Sequence, residues 1–536
     1  MSVHAPGESH PDERPGIELE LKFDLSPGDV RKLCRMPWLK ALQEGKVHRQ
    51  SLHALYFDTP AHDLADRRIS LRVRKESRAY VQCLKSNTAS DCNGFSRQEK
   101  EWPVKRARLD PDLLKKDTRA GRALADIDID TLTAVFETDI TRQSRVLVCA
   151  DGTRMKCEVD RGRIVAGDAD VTIHEMELEF VSGEITTFYD IARKIAQSVP
   201  VRLSLCSKAC RGFSLASGTM PHWQRARHPK PRRGASNGEV LRSALQLGLR
   251  QVLANAPCVL ARSHEEGVHQ MRVALRRMRS ALSLYRGGVG IQKTRDLVGM
   301  IRETSAALGD ARDWDVFIGT TLPAVRYSEA AAPGSEALLR RSSALRDEAY
   351  ERAQAYLGSR EYGCLLVELA ACSTVHRDGE KEIGPDGAAL GGDVDLGAPA
   401  TDFAYRVLAR GHARLMKRGR GLKKLSAADR HRLRIAVKKA RYTSELFASL
   451  FDADKTHPYL KALGRLQDVL GHLNDRVVAE RLLERVGAAT PAIRDKSFRR
   501  AVGEVSGWYG HLQVSQEQEL LSAWKSFRRR APFWSA

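Results

Sequence analysis

The sequence lacks the features that would anchor it in a membrane or staple it outside the cell. No stretch approaches the roughly 18 uninterrupted apolar residues of a membrane-spanning helix, so no such span is expected. Cysteine numbers only 10 in 536 residues, and no two form a CxxC pair. Cys206 and Cys210 stand four apart, but no second pair or histidine cluster completes a zinc site. A disulfide framework is excluded, and a reducing, cytoplasmic location is expected. Residues 1–16 are polar and rich in Pro and Gly, with no apolar h-region. They read as a flexible leader and not a signal peptide. Aromatics make up only 6% of the chain.

What is present is length and charge. A chain of 536 residues exceeds one compact core and points to at least two domains. The formal net charge of +21 is uneven. Residues 1–219 carry 35 basic and 33 acidic groups, whereas 220–536 carry 53 and 34. A balanced first part is thus followed by a strongly basic one, which expects a polyanionic partner.

The periodicity changes at the same place. From 17 to about 215 it is mostly two, with strands expected at 17–23, 51–57, 69–75, 79–85, 97–104, 135–141, 145–150, 154–160 and 173–181. Helical patterns interrupt at 28–43 and 186–198. The basic, Pro/Gly-rich segment 217–238 reads as a linker. Beyond 239 the period is 3.6 throughout, predicting an all-α region to about 530. A Gly/Asp-rich stretch at 376–402 reads as a mobile connector between halves 239–375 and 403–530. Those halves share motifs: "HQMRVALRRMR" at 269–279 matches "HRLRIAVKKAR" at 431–441, and "LGDARDWDV" at 308–316 matches "LGHLNDRVV" at 470–478. Both pairs keep an offset of 162, which predicts an internal duplication.

Two strands carry unusual charge. In "IELELKF", Glu18, Glu20 and Lys22 fall on one face, opposite Ile17, Leu19, Leu21 and Phe23. In "HEMELEF", Glu175, Glu177 and Glu179 do the same. Each strand alone reads equally well as solvated surface. Gathered in one interior, five glutamates would repel unless cations lay between them. Hard divalent ions want such oxygens. The strands between supply Arg72, Arg74, Lys85, Arg97 and Arg142, with Lys208 and Arg211 following. Alternating with apolar residues, they suit a barrel with a polar lumen, and Arg and Lys suit polyphosphate oxygens.

The pieces "ELELK" (18–22), "YFDTP" (56–60), "LRVR" (71–74), "VDRG" (159–162), "EMELE" (175–179) and "SKACRGF" (207–213) resemble the CYTH family of triphosphate tunnel metalloenzymes. The resemblance covers about 17–216. It implies an eight-stranded antiparallel barrel whose tunnel holds a linear triphosphate beside Mg²⁺ or Mn²⁺. By that resemblance, Glu18, Glu20, Glu175, Glu177, Glu179 and Asp160 would hold metal. Lys22, Lys85, Arg72, Arg74, Arg97, Arg142, Lys208 and Arg211 would grip phosphate, with Glu18, Glu20, Lys22, Lys85, Glu177 and Glu179 at the catalytic centre.

In the helical region, His269, Arg272, Arg276 and Arg279 span about 80° of one helix face, a ladder of cations. His431, Arg434, Lys438 and Arg441 repeat it. These pieces resemble the CHAD domain, a conserved-histidine α-helical domain associated with inorganic polyphosphate. Lys438, Lys439 and His472 depart from Arg276, Arg277 and Asp310 of the first half. A nucleic-acid partner is disfavoured, because the ladders lack interleaved aromatics. Taken together, the expectation is an α+β multidomain chain: a metal-dependent inorganic triphosphatase that splits tripolyphosphate into pyrophosphate and phosphate. Its helical domain would bind polyphosphate, and association with polyphosphate granules would follow. The alternatives are a non-catalytic polyphosphate-binding protein and an enzyme acting on thiamine triphosphate or ATP.

Overall fold

The structure, a computed structural model, describes residues 19–76, 79–86, 98–374, 394–488 and 495–535. Glu18, Arg97, the leader 1–16 and residues 376–393 of the expected connector lie outside the described residues. Internal contacts divide the chain into two units, Met1–Thr219 and Met220–Ala536.

The first unit is an antiparallel sheet of β1 (Glu20–Asp24), β2 (Gln43–Asp58), β3 (Ser70–Glu76), β4 (Ala79–Ser86), β5 (Gln98–Val104), β6 (Thr133–Val148), β7 (Arg154–Ala166), β8 (Ala169–Ser182) and β9 (Arg202–Leu203). Their order is β5-β4-β3-β2-β6-β7-β8-β1-β9. An eight-stranded closed barrel was the expectation. The sheet instead has nine strands, and among the described residues no ladder joins β5 to β9. The ninth strand is two residues long and pairs only with β1. The expected strands 135–141 and 145–150 are one, β6, because no Gly or Pro interrupts "ITRQSRVL". The expected helix 28–43 is two, α1 (Pro27–Cys34) and α2 (Pro37–Ala41), since Pro37 cannot continue the first. Ser26 starts α1 by accepting from the Asp29 amide.

The alternation along these strands is inverted relative to an ordinary barrel. The outer faces of β2, β3 and β4 present Phe57, Leu71, Val73 and Leu84, buried with Leu114, Ala120, Leu124 and Ile127. On the other side α1 and α3 (Ile185–Ser198) pack on β8. There Leu21, Phe23, Met176 and Leu178 are buried. These apolar residues face outward under helices and the charged residues face inward, where a second apolar cluster of Leu52, Ala54, Tyr56, Phe136 and Ile140 shares the inner side with them. A final helix, α4 (Lys208–Ala216), lies against β6, β7 and β8 and is capped by Ser207. Gly212 permits that approach, because a Cβ there would sit 2.1 Å from the Phe136 ring.

The second unit is helical: α5 (Asn237–Ala261), α6 (Glu266–Leu284), α7 (Ile291–Ala307), α8 (Gly309–Val316), α9 (Ala332–Leu357), α10 (Arg360–Ser373), α11 (Ala400–Arg418), α12 (Ala427–Phe447), α13 (Ala453–Ala488) and α14 (Lys496–Arg528) are its longer elements. A capping box of Ser236 and Glu239 opens α5. Most of the expected linker belongs to this unit. Its backbone is tied down at Gln224 by Asn255, at Ala226 by Gln270 and at Arg227 by Gln251. The described end of the connector is also fixed, with the Ala398 carbonyl accepting from Asn237 and the Leu396 carbonyl from Gly238. No helix among the described residues is long and apolar enough to cross a membrane.

Candidate active site

The inward charges stand in register. Antiparallel pairing aligns Asp24, Glu175, Asp160 and Arg142 in one row across β1, β8, β7 and β6. The next row is Lys22, Glu177, Glu158 and Ser144, and the third is Glu20, Glu179 and Lys156. Directly opposed residues share a face, so three acid-rich rows stack on one inner wall. Arg72 and Arg74 of β3 and Lys85 of β4 line the same cavity of about 270 Å³, with Glu20, Lys22, Arg142, Asp160, Glu177 and Lys208. An adjoining cavity of about 300 Å³ adds Glu101, Lys156, Glu158 and Glu179.

The first row is neutralised from within. Arg142 donates to Asp160 at 2.8 Å through Nε and 2.6 Å through Nη2, and reaches Glu177 at 3.1 Å and Glu158. The Lys208 ammonium is 2.6 Å from Asp160 and 3.5 Å from Glu177, and it pairs with Glu175. Arg211 pairs with Asp24 and is 3.3 Å from Glu175. Asp160, Glu175 and Glu177 bring carboxylate oxygens within 4.8 Å of one another, a spacing that would suit a metal. Lys208 already holds all three.

The other rows differ. Lys22 is 2.6 Å from Glu177, and Lys156 is 2.8 Å from Glu158 but 4.0 Å from Glu179. Burial, then the neighbouring Glu177 charge, push the Glu20 carboxyl above its ordinary range, and Glu179 adds to this. Glu177 is held well below that range: burial opposes, but Lys208, Lys22 and Arg142 outweigh it. Asp160 is likewise lowered against burial by Arg142 and Lys208. Burial would lower Lys208, yet Glu177, Glu175 and Asp160 raise it.

The structure thus gathers Glu20, Lys22, Arg72, Arg74, Lys85, Arg142, Asp160, Lys208 and Glu177 around one cavity, with Glu179 on the adjoining one. Glu175, fully buried, and Arg211 lie outside the described lining of both. Sequence reasoning passed over Lys156 and Glu158. Their signal was alternation with Asp160 along β7. It also passed over Tyr56, which accepts from Arg72 at 3.3 Å and stacks on Phe136 at 4.4 Å.

In the second unit, α6 and α12 pack together and bring the two cation ladders close. Burial first, then Arg434, Arg276 and Arg272, push Lys438 down to about 7, with Asp475 opposing. Burial and Arg312 push His269 down to about 4, partly offset by Glu266. That histidine is neutral at pH 7. Arg272 donates to the Ser305 carbonyl, and Arg279 feels Arg302 and Arg276. Two ladder members stand apart from the group. Arg441 is engaged by Glu445 at 2.8 Å, and His431 is exposed.

A CYTH domain model matches residues 16–213, and a CHAD domain model matches 243–484. The chain joins a CYTH domain to a CHAD domain. An inorganic triphosphatase of Haemophilus influenzae is 29% identical over 206 residues, which cover 37% of this chain and 55% of that protein. The chain therefore spans about half the length of that relative. An uncharacterised Mycobacterium tuberculosis protein is 26% identical over 543 residues, covering 94% of this chain and 93% of its own. Among solved structures, the CHAD domain of Ricinus communis is 29% identical and covers 57% of this chain and 97% of that chain, with a TM-score of 0.47.

The CYTH site is a lattice of buried ion pairs, so removing one partner strands the others. Lys208→Met leaves Asp160, Glu175 and Glu177 short of a cation and is expected to lower folding stability by about 3–5 kcal/mol. Chemical denaturation at neutral pH measures this. The sign with pH follows from the depressed Asp160 and Glu177. What these carboxylates contribute is present above their ordinary range, near pH 4, and lost as pH falls through their folded values. In the variant that depression weakens, so the deficit relative to wild type shrinks on acidification.

Proposed function

We propose that the CYTH domain is a metal-dependent inorganic triphosphatase. The observation that supports it most is the opposition of two charge sets across one cavity: Glu20, Glu177 and Glu179 on one side, Arg72, Arg74 and Lys85 on the other. The relative from Haemophilus influenzae carries the same activity in its name. The donor set fits a hard divalent ion such as Mg²⁺ or Mn²⁺. Glu20 stands among carboxylates that raise its pKa, so a cation there would relieve the repulsion. Glu20, Glu177 and Glu179 would hold it, joined by Glu18. Asp160 and Glu175 are left out of that set, because neither lines the adjoining cavity where Glu20, Glu177 and Glu179 meet; Glu177 belongs to it although Lys22, Arg142 and Lys208 also reach it.

When bound, the ion supplies positive charge to phosphate oxygens and lowers the pKa of a water. Arg72, Arg74 and Lys85 bind the terminal oxygens and spread the charge that develops as the phosphoryl group transfers. Lys22 and Lys208 offset charge from the carboxylate side. Tyr56 is the one aromatic among the described lining residues, and Phe136 covers one of its faces. Tyr56 is buried, so among the described residues no open platform is left for a base, which favours inorganic tripolyphosphate over ATP or thiamine triphosphate.

Phosphate release with Mg²⁺ or Mn²⁺ tests this. Tripolyphosphate is expected to be cleaved faster than ATP or thiamine triphosphate. Glu20→Gln and Arg72→Met are each expected to reduce turnover by about 10²-fold or more. Equal rates on ATP would favour the organic substrate. No release with either ion would leave the non-catalytic reading.

For the CHAD domain we propose polyphosphate binding by Arg272, Arg276, Arg279, Arg434 and Lys438, with the two halves as duplicates related by the 162-residue offset. Burial first, and then mutual repulsion within this group, lower Lys438, and a polyanion would relieve the repulsion. Anion binding favours the charged amine, so affinity falls as pH rises through about 7. Calorimetry with polyphosphate from pH 6 to 8 should show that fall in the wild type and a flatter profile in Lys438→Arg.

A further inference from the structure

Two charged residues near the site neither line its cavity nor join the metal-binding set. Glu175 is fully buried, and Arg211 lies outside the described lining of the cavity. Their geometry gives each a role. Lys208 and Arg211 are three residues apart on α4, on one face of the first turn. Glu175 lies between them. One of its oxygens pairs with Lys208, and the other is 3.3 Å from Arg211. Asp24, directly opposite Glu175 in the β1–β8 ladder, takes the remaining reach of Arg211. Of these four groups only Lys208 lines the cavity, where its ammonium is 2.6 Å from Asp160.

We propose that Asp24, Glu175 and Arg211 are positioning residues that bracket α4 to the sheet and hold the Lys208 ammonium at the inner end of the triphosphate site. The inference rests on the triphosphatase reading for its consequence in turnover, but not for its geometry. It reassigns Glu175, expected as a metal ligand, and Arg211, expected as a phosphate contact. Lysine is long and flexible, and a free ammonium would sample many positions. Fixing its helix through a second pair on the same face removes that freedom, and Gly212 lets the helix seat close enough on Phe136 for both pairs to form.

The test compares Glu175→Gln, Arg211→Met, Arg211→Lys and Glu20→Gln in the full chain, by three readouts. Mn²⁺ binding is followed by electron paramagnetic resonance, amide exchange in α4 by mass spectrometry, and tripolyphosphate kinetics by phosphate release. Glu175→Gln and Arg211→Met are expected to leave Mn²⁺ affinity within about 3-fold of wild type, while Glu20→Gln weakens it about 10-fold or more. Both bracket variants should speed exchange in α4 and lower kcat about 10-fold with little change in KM. Arg211→Lys, which keeps the charge, should recover part of the loss. Mn²⁺ weakened by Glu175→Gln as much as by Glu20→Gln would make Glu175 a ligand and overturn the proposal. So would unchanged exchange in α4. If Glu175→Gln fails to fold, the two Arg211 variants decide the matter by the same readouts. A wild type that binds Mn²⁺ yet releases no phosphate would sink the triphosphatase reading alone, because metal affinity and exchange would still judge the bracket.

Discussion

The first unit depends on one constraint: acidic rows that face inward must be matched, charge for charge, by cations that also face inward. A carboxylate buried alone costs several kcal/mol, and rows of them would drive the strands apart. The compensation is local and uneven. Asp24, Glu175 and Asp160 meet Arg211, Lys208 and Arg142, of which Lys208 and Arg142 also reach Glu177. In the row of Glu20 and Glu179, burial first and the Glu177 charge next raise the Glu20 carboxyl. The place where protein cations run short is the place where a metal ion is useful. Across the cavity stand Arg72, Arg74 and Lys85, with Arg74 also paired to Glu76 and Glu101. A metal–triphosphate complex carries both signs in one ligand.

The same principle operates in reverse in the second unit. There the cations are in excess: burial first, and then neighbouring cations, lower Arg272, Arg434 and Lys438. Helix packing supplies the energy that holds them together, through buried side chains such as Met271, Leu275, Leu433 and Val437 between the basic positions.

Much of this was legible in the sequence because side-chain alternation is a two-residue code. Glu20, Lys22, Glu177 and Glu179 could be placed on one face without knowing the fold, and so could Arg72 and Arg74. The period also changes, from two up to about 215 to 3.6 beyond 239. What alternation cannot encode is pairing. Only the ladder register shows that Glu175 stands opposite Asp24 and Asp160, and only α4 shows which cations reach it. Glu175 and Glu177 look alike in "EMELE", yet one lies beneath the cavity and the other in its wall. Nor can helix periodicity say that Arg441 turns to Glu445 while Lys438 meets the opposite ladder. The number of strands escaped for a related reason, since β9 is two residues long and carries no periodic signal.

The claim that metal binds where internal compensation fails is open to direct observation. The measurement is anomalous diffraction from Mn²⁺ in crystals of the full chain grown with tripolyphosphate. The account predicts an anomalous peak among the Glu20, Glu177 and Glu179 carboxylates, with the Lys208 ammonium still seated against Asp160 and Glu175. A peak between Asp160 and Glu175, with Lys208 displaced, would contradict it.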